Sequence, residues 1–120
     1  MDTPMPREKA ANTKPSPQPS HILCIGIPVR DLTFRIESLP ARGFKAAASH
    51  FDEISGGNAL NAAIGIARLG GKASICGPMG DAAETSSRYI FDKLAAESID
   101  TRHLIHMPGL VTPISNIMID

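Results

Sequence analysis

Residues 56–71 read GGNALNAAIGIARLGG, and this stretch decides the fold class of the chain. Two consecutive glycines, Gly56 and Gly57, remove both Cβ atoms at the entrance of a predicted helix. The N–H groups of a first helical turn have no partner within the helix, so a ligand oxygen can approach them closely. Asn61 adds an amide donor and acceptor in the same turn. The stretch therefore predicts a site for a polar ligand, with a sugar as the first candidate.

The helix predicted at residues 58–69 has an almost entirely apolar surface. Such a surface is typical of a helix that is buried in the protein. The glycines at residues 70–71 predict a C-terminal cap that ends it. One polar stripe at helical spacing interrupts the apolar surface, and it consists of Asn58, Asn61, Gly65 and Arg68.

Strand and helix patterns alternate along the rest of the chain. Residues 22–29 form a continuous apolar run, which is typical of a strand buried on both faces of a parallel sheet. Asp81 and Glu84 have the spacing of a capping box and predict a helix at residues 82–97, with Asp81 as its N-cap. Further strands are predicted at residues 32–39, 72–76 and 114–119, whereas the pattern of residues 44–54 is ambiguous, because the alanines at residues 46–48 also suit a helix. This alternation predicts an α/β fold with a central, largely parallel sheet.

Residues 1–20 differ in composition from the rest of the chain. They hold five of the ten prolines and few apolar side chains, so we expect a disordered tail before a folded region at residues 21–120. The tail lacks the apolar core of a secretory signal, and no run reaches the length needed to span a membrane. We therefore expect a cytoplasmic protein with no membrane contact.

The charges and aromatic residues argue against a nucleic-acid partner. The chain has 12 basic and 12 acidic residues, one tyrosine, four phenylalanines and no tryptophan, which offers neither a basic surface nor stacking side chains. Cys24 and Cys76 lie in apolar runs and are predicted to be buried free thiols. We expect no metal ligand among the scattered histidines, which are His21, His50, His103 and His106.

Asp31 and the residues around the glycine pair are the candidate binding residues. Asp31 follows the first predicted strand, and open α/β sheets bind ligands beyond the carboxyl ends of their strands. On position alone, a solvated turn aspartate is the better interpretation. For Gly56, Gly57, Asn58 and Asn61 the alternative is a glycine-permitted turn, with Asn58 as the helix N-cap. A nucleotide phosphate loop is not indicated, because its third glycine and its Gly-Lys-Ser/Thr are missing.

Several motifs in order resemble the N-terminal portion of the ribokinase or PfkB-type carbohydrate kinases. GGNALN at residues 56–61 and GPMGD at residues 77–81 are similar to the first signature of that family. Residues 22–31 resemble its first strand and sugar-binding aspartate, and IDT at residues 99–101 resembles its Val-Asp-Thr. The resemblance extends from about residue 22 to Asp120.

The resemblance implies a ribokinase-like fold in which residues of about 32–54 form a small β lid over the sugar. It implies that Asp31 binds the acceptor sugar, and that Gly57 offers its N–H and Asn61 its amide to sugar hydroxyls. Gly56 and Asn58 belong to the same substrate-binding group.

The resemblance further implies transfer of the γ-phosphoryl group of magnesium ATP to a sugar hydroxyl. The family has its catalytic base in a Gly-Ala-Gly-Asp stretch far toward the C-terminus, and no such stretch occurs in these 120 residues. We therefore expect an incomplete N-terminal part, with no catalytic residue and without the ATP and magnesium sites, that is inactive alone. Asn58 and Val29 replace a lysine and an asparagine common in ribose-specific members, so a hexose, keto-sugar or modified sugar is at least as plausible as ribose.

Two other functions stay open at this point. The lid strands can pair with a second chain through their unpaired edges, which would give a homodimer. In that case the chain is a non-catalytic module for sugar binding or for dimerisation. A fragment of a nucleoside kinase from the same superfamily is the second alternative.

Overall fold

The computed structural model describes residues 2–5 and 20–120 of the chain. Most of the predicted tail at residues 1–20 therefore lies outside the described residues. Within the described ranges the α/β alternation predicted from the sequence is confirmed. The elements are β1 (His21–Ile25), β2 (Val29–Ile36), β3 (Ala48–Gly56), α1 (Asn58–Arg68), β4 (Lys72–Met79), α2 (Thr85–Ala96), β5 (Asp100–His106) and β6 (Ile114–Ile119).

The central sheet has the strand order β1-β4-β5, and both of its pairings are parallel. One face of this sheet packs against both helices. Ile75 of β4, Leu60 of α1 and Ile90 of α2 are each 0% exposed in this core. On the other face Leu23 is 48% and Ile25 is 74% exposed. The prediction that residues 22–29 are buried on both faces is therefore wrong for the described part of the chain.

A second sheet has the order β3-β2-β6, with β2 antiparallel to β3 and parallel to β6. Strands β2 and β3 correspond to the two strands predicted between about residues 32 and 54. Strand β6 pairs with β2, so it extends this second sheet and not the central one. Asp31 lies directly opposite Ile54 on one side and Ser115 on the other. Parallel pairing with β2 therefore brings the last described strand beside the candidate sugar-binding carboxylate.

Helix α1 ends as its sequence predicts. Gly70 has a φ of +87°, a conformation that glycine adopts without strain. The Gly70 N–H donates to the Ala67 carbonyl at 3.0 Å, and the Gly71 N–H donates to the Ile66 carbonyl at 2.9 Å. These two bonds form a Schellman motif, which satisfies carbonyl groups that the helix leaves free.

Helix α2 begins later than predicted, and Asp81 is not its N-cap. The N-cap is Glu84, whose carboxylate accepts from the N–H groups of Ser86 at 2.8 Å and Ser87 at 3.0 Å. A turn closed by the Glu84 N–H and the Asp81 carbonyl separates Asp81 from the helix. The Asp81 carboxylate instead accepts from the N–H groups of Ala83 and Gly109, and these bonds lower its pKa.

Replacing Glu84 by alanine is expected to destabilise the fold in a pH-dependent way. Burial raises the pKa of Glu84, but hydrogen bonds from the Ser86, Ser87 and Thr112 N–H groups outweigh it and lower the pKa overall. A carboxyl whose pKa is lower in the folded state stabilises the protein above its ordinary pKa, and this stabilisation is lost as the pH falls. We expect Glu84→Ala to cost about 1–2 kcal/mol at neutral pH and clearly less well below that pKa, measured by urea unfolding.

The exposed Glu37 offers a matched control. Glu37→Ala is expected to change the free energy of unfolding by less than about 0.5 kcal/mol at either pH. An equal loss for Glu84→Ala at neutral and acidic pH would contradict a role for the ionised carboxylate as the cap.

Candidate functional site

The N-terminus of α1 is built on a glycine that no other residue replaces without strain. Gly57 is the N-cap, with a φ of 95° and a ψ of 138°, and it provides no side-chain cap. A Cβ atom on Gly57 would lie 2.4 Å from the Ile27 carbonyl oxygen, well inside contact distance. The first intrahelical bond runs from the Asn61 N–H to the Gly57 carbonyl. The N–H groups at the start of α1 therefore stay available for a ligand.

The Asp31 carboxylate lies directly over the Gly56 backbone. A Cβ atom on Gly56 would be only 2.0 Å from Asp31 Oδ2, so glycine is required for the carboxylate to occupy this place. The other oxygen, Oδ1, accepts a hydrogen bond from Ser115 Oγ at 2.5 Å. Asp31 is half-buried in the middle strand of the second sheet, so the interpretation as a solvated turn residue is wrong.

Asn58 and Asn61 both lie in the first turn of α1 and are exposed. Asn58 is the first residue of the helix and not its N-cap, so the alternative that assigned it a capping role is also wrong. The five predicted residues therefore come from two places that adjoin at Gly56 and Gly57. The carboxylate is on β2, and the glycines lead from β3 into the helix that holds the two asparagines.

A second polar group lies on the opposite face of the second sheet and was not predicted. Arg30 donates from Nε to Glu53 Oε1 at 2.7 Å and from Nη1 to Ser86 Oγ at 3.2 Å. Tyr89 of α2 donates to the Glu53 carbonyl at 2.6 Å, and burial followed by the Glu53 charge raises the pKa of Tyr89. These contacts join the second sheet to α2. They also pair Arg30 with Glu53, on the face away from Asp31.

Ser115 is the residue near Asp31 that sequence reasoning missed. No local pattern connects two residues this far apart in the chain, and only the parallel pairing of β6 with β2 brings them together. The signal that exists is the strand pattern at residues 114–119, which predicts a strand without predicting its partner.

The residues that the structure describes do not fit a metal site. Within 2–5 and 20–120, no three side chains of His, Cys, Asp or Glu come together as cation ligands. Cys24 and Cys76 are both free thiols, with Cys24 buried and Cys76 half-buried. None of the described helices has the length and hydropathy needed to cross a membrane.

In this α/β protein the structure thus places a carboxylate over a glycine, next to an uncapped helix N-terminus, where the two sheets meet. The model of the pfkB family of carbohydrate kinases matches residues 19–120. The chain belongs to this family.

Solved structures of kinases are similar to this chain and support the family assignment. A candidate ribokinase from Agrobacterium tumefaciens has a TM-score of 0.74 and 33% identity, over 83% of this chain and 32% of its own. The nucleoside kinase of Methanocaldococcus jannaschii has a TM-score of 0.70 and 25% identity, over 83% of this chain and 33% of its own. A Xylella fastidiosa fructokinase with bound ATP has a TM-score of 0.64 and 25% identity, over 82% of this chain and 29% of its own. The chain thus spans about a third of the length of these structures.

Proposed function

We propose that this chain forms the sugar-binding part of a cytoplasmic, ATP-dependent carbohydrate kinase, a phosphotransferase with an alcohol group as acceptor. The observation that carries the proposal is the Asp31 carboxylate, held over Gly56 beside the uncapped N-terminus of α1. A carboxylate accepts hydroxyl protons and free N–H groups donate to hydroxyl oxygens, which together suit the vicinal hydroxyls of a sugar. Family membership supports the same assignment.

In the proposed complex the carboxylate of Asp31 accepts from two adjacent sugar hydroxyls. The Gly57 N–H donates to a hydroxyl oxygen, and the Asn61 amide donates and accepts in the same turn of helix. Gly56 contributes by having no Cβ, and Asn58 lines the rim of the site. These contacts orient the sugar, and orientation of a reacting group lowers the barrier to its reaction.

The proposed reaction is an in-line displacement at the γ-phosphorus of ATP. The oxygen of a sugar hydroxyl forms the new P–O bond, its proton goes to a base, and the bond to the departing ADP breaks. The Xylella structure contains ATP, which supports ATP as the donor. We assign the base and the nucleotide site to parts of the protein outside residues 20–120. Residues 1–120 alone are then expected to bind sugar without transferring phosphate.

The test is sugar-dependent release of ADP by the full-length protein, by which we mean the whole kinase of which we propose that residues 1–120 form a part. The acceptors are D-ribose, D-fructose, D-glucose and adenosine, so that a nucleoside kinase is detected by the same assay. We expect turnover with at least one acceptor, and with D-fructose or D-glucose at least as readily as with D-ribose, because Asn58 and Val29 replace the lysine and the asparagine common in ribose-specific members. Absence of turnover with all four acceptors, or turnover by residues 1–120 alone, would count against the proposal.

A homodimer through the second sheet is the other candidate, and a specific observation favours it. On the face that holds Asp31, the side chains of Ile54 and Ile119 are 52% and 40% exposed, and among the described residues β3 and β6 are the edge strands of this sheet. An apolar face beside two free edges suits pairing with a second copy of the chain. Pairing alone needs no carboxylate, so Asp31→Ala leaves such a dimer intact while it removes sugar binding.

A further inference from the structure

Ser115 makes the side-chain hydrogen bond that the structure records for Asp31. Its Oγ lies 2.5 Å from Asp31 Oδ1, and the two residues are direct partners in the parallel pair of β6 and β2. Ser115 is half-buried, as Asp31 is. The bond is therefore partly shielded from solvent, on the face of the second sheet that holds Asp31.

This contact makes the two oxygens of the Asp31 carboxylate different from each other. Oδ1 already accepts the hydrogen bond from Ser115 Oγ, whereas Oδ2 is the oxygen that lies over Gly56, next to the N-terminus of α1. A carboxylate has about four sites for accepted hydrogen bonds, so both oxygens keep capacity for hydroxyl donors. The rotation of the carboxylate, however, is fixed by one donor on one side and by the Gly56 backbone on the other.

We propose that Ser115 is a positioning residue of the acceptor-sugar site, which holds the Asp31 carboxylate in the orientation that receives two sugar hydroxyls. This inference rests on the proposed function. A carboxylate that is already fixed loses less conformational freedom when the sugar binds, and such preorganisation appears as affinity. The bond is charge-assisted, which makes it stronger than a bond between neutral groups.

If Ser115 only held β6 against β2, its loss would lower the stability of the protein and not its affinity for the sugar. Strands β2 and β6 are already paired over six residue positions, from Arg30 with Ile114 to Arg35 with Ile119. Loss of one hydroxyl leaves that backbone pairing in place, so stability is expected to change little. A positioning role instead affects the KM for the sugar.

The test uses the full-length protein and whichever of D-ribose, D-fructose, D-glucose and adenosine the wild type phosphorylates best. For Ser115→Ala we expect the KM for that acceptor to rise about tenfold, while kcat changes by less than about threefold and the KM for ATP is unchanged. Ser115→Thr keeps the hydroxyl on a residue that suits a strand, and it is expected to restore the KM to within about threefold of the wild type. Ser74→Ala is the matched control, because the Ser74 hydroxyl also forms a hydrogen bond with a side chain of a neighbouring strand, His21 Nε2 at 3.0 Å, but in the central sheet, and its KM is expected to match the wild type.

Ser115→Cys keeps the volume of the side chain and replaces the hydroxyl by a weak donor, so it substitutes for the alanine variant if that variant does not fold. A wild-type KM in Ser115→Ala or Ser115→Cys would overturn the inference. So would a threonine variant that is as impaired as alanine. If the wild type turns over none of the four acceptors, the proposed function is overturned and the inference with it. If the wild type is active but the Ser115 variants keep the wild-type KM, only the inference is overturned.

Discussion

Asp31→Ala is expected to lower the affinity for the acceptor sugar by at least about a hundredfold. The carboxylate is the one charged group in the proposed set, and hydrogen bonds to a charged group contribute about 1.5–3 kcal/mol each. Two such bonds account for about 3–6 kcal/mol, and every 1.4 kcal/mol is about a factor of ten in affinity. The measurement is isothermal titration of the full-length protein with the sugar that it phosphorylates.

Asp92→Ala is the control for this experiment. Asp92 is an exposed aspartate of α2, a helix that contacts the opposite face of the second sheet through Arg30 and Tyr89. Its removal is expected to leave the sugar affinity within about twofold of the wild type. An Asp31→Ala protein that binds sugar as tightly as Asp92→Ala would remove Asp31 from the site.

Gly57→Ala is expected to destabilise the folded protein by about 3 kcal/mol or more. The φ of 95° is a conformation that residues with a Cβ rarely adopt, which costs about 1–2 kcal/mol. The added Cβ would also lie 2.4 Å from the Ile27 carbonyl oxygen, so the backbone before β2 or the start of α1 has to move. That movement displaces the N–H groups proposed to bind the sugar, so affinity is expected to fall in the fraction that remains folded.

Gly43→Ala separates the cost of the backbone conformation from the cost of the close contact with Ile27. Gly43 has a φ of +84°, and no atom lies within 4 Å of the position that its Cβ would take. We expect this variant to lose only the backbone cost of about 1 kcal/mol in urea unfolding, with unchanged sugar affinity. If Gly57→Ala and Gly43→Ala lose the same stability, close packing against Ile27 is not the reason for glycine at the helix entrance.

Features encoded within a few consecutive residues were predictable from the sequence. The start and end of α1 depend on glycines at residues 57 and 70, which have φ values of 95° and 87° in the structure. The alternating side chains at residues 32–39 likewise predict a strand in the region of β2. In each case the physical cause lies within one element or one loop.

Features that depend on tertiary contacts were not predictable in the same way. The sequence of β5 is mostly polar, and Leu104 is its buried residue, so no strand pattern is visible there. Its extended conformation follows from the parallel pairing with β4. Glu84, and not Asp81, is the cap because the helix begins one turn after Asp81, where the Glu84 carboxylate accepts from the Ser86 and Ser87 N–H groups and, at 3.4 Å, from the Thr112 N–H. The contact of Ser115 with Asp31 likewise requires β6 to pair with β2, which no short-range pattern specifies.

The most direct test of the sugar-binding assignment is phosphoryl transfer from ATP to a sugar. It is measured for the full-length wild type and for its Asp31→Ala variant. We predict radiolabelled sugar phosphate from γ-labelled ATP with the wild type, and a loss of at least about a hundredfold in kcat/KM for the sugar in the variant. Equal transfer by both proteins, or none by the wild type with any of the four acceptors, would contradict the assignment.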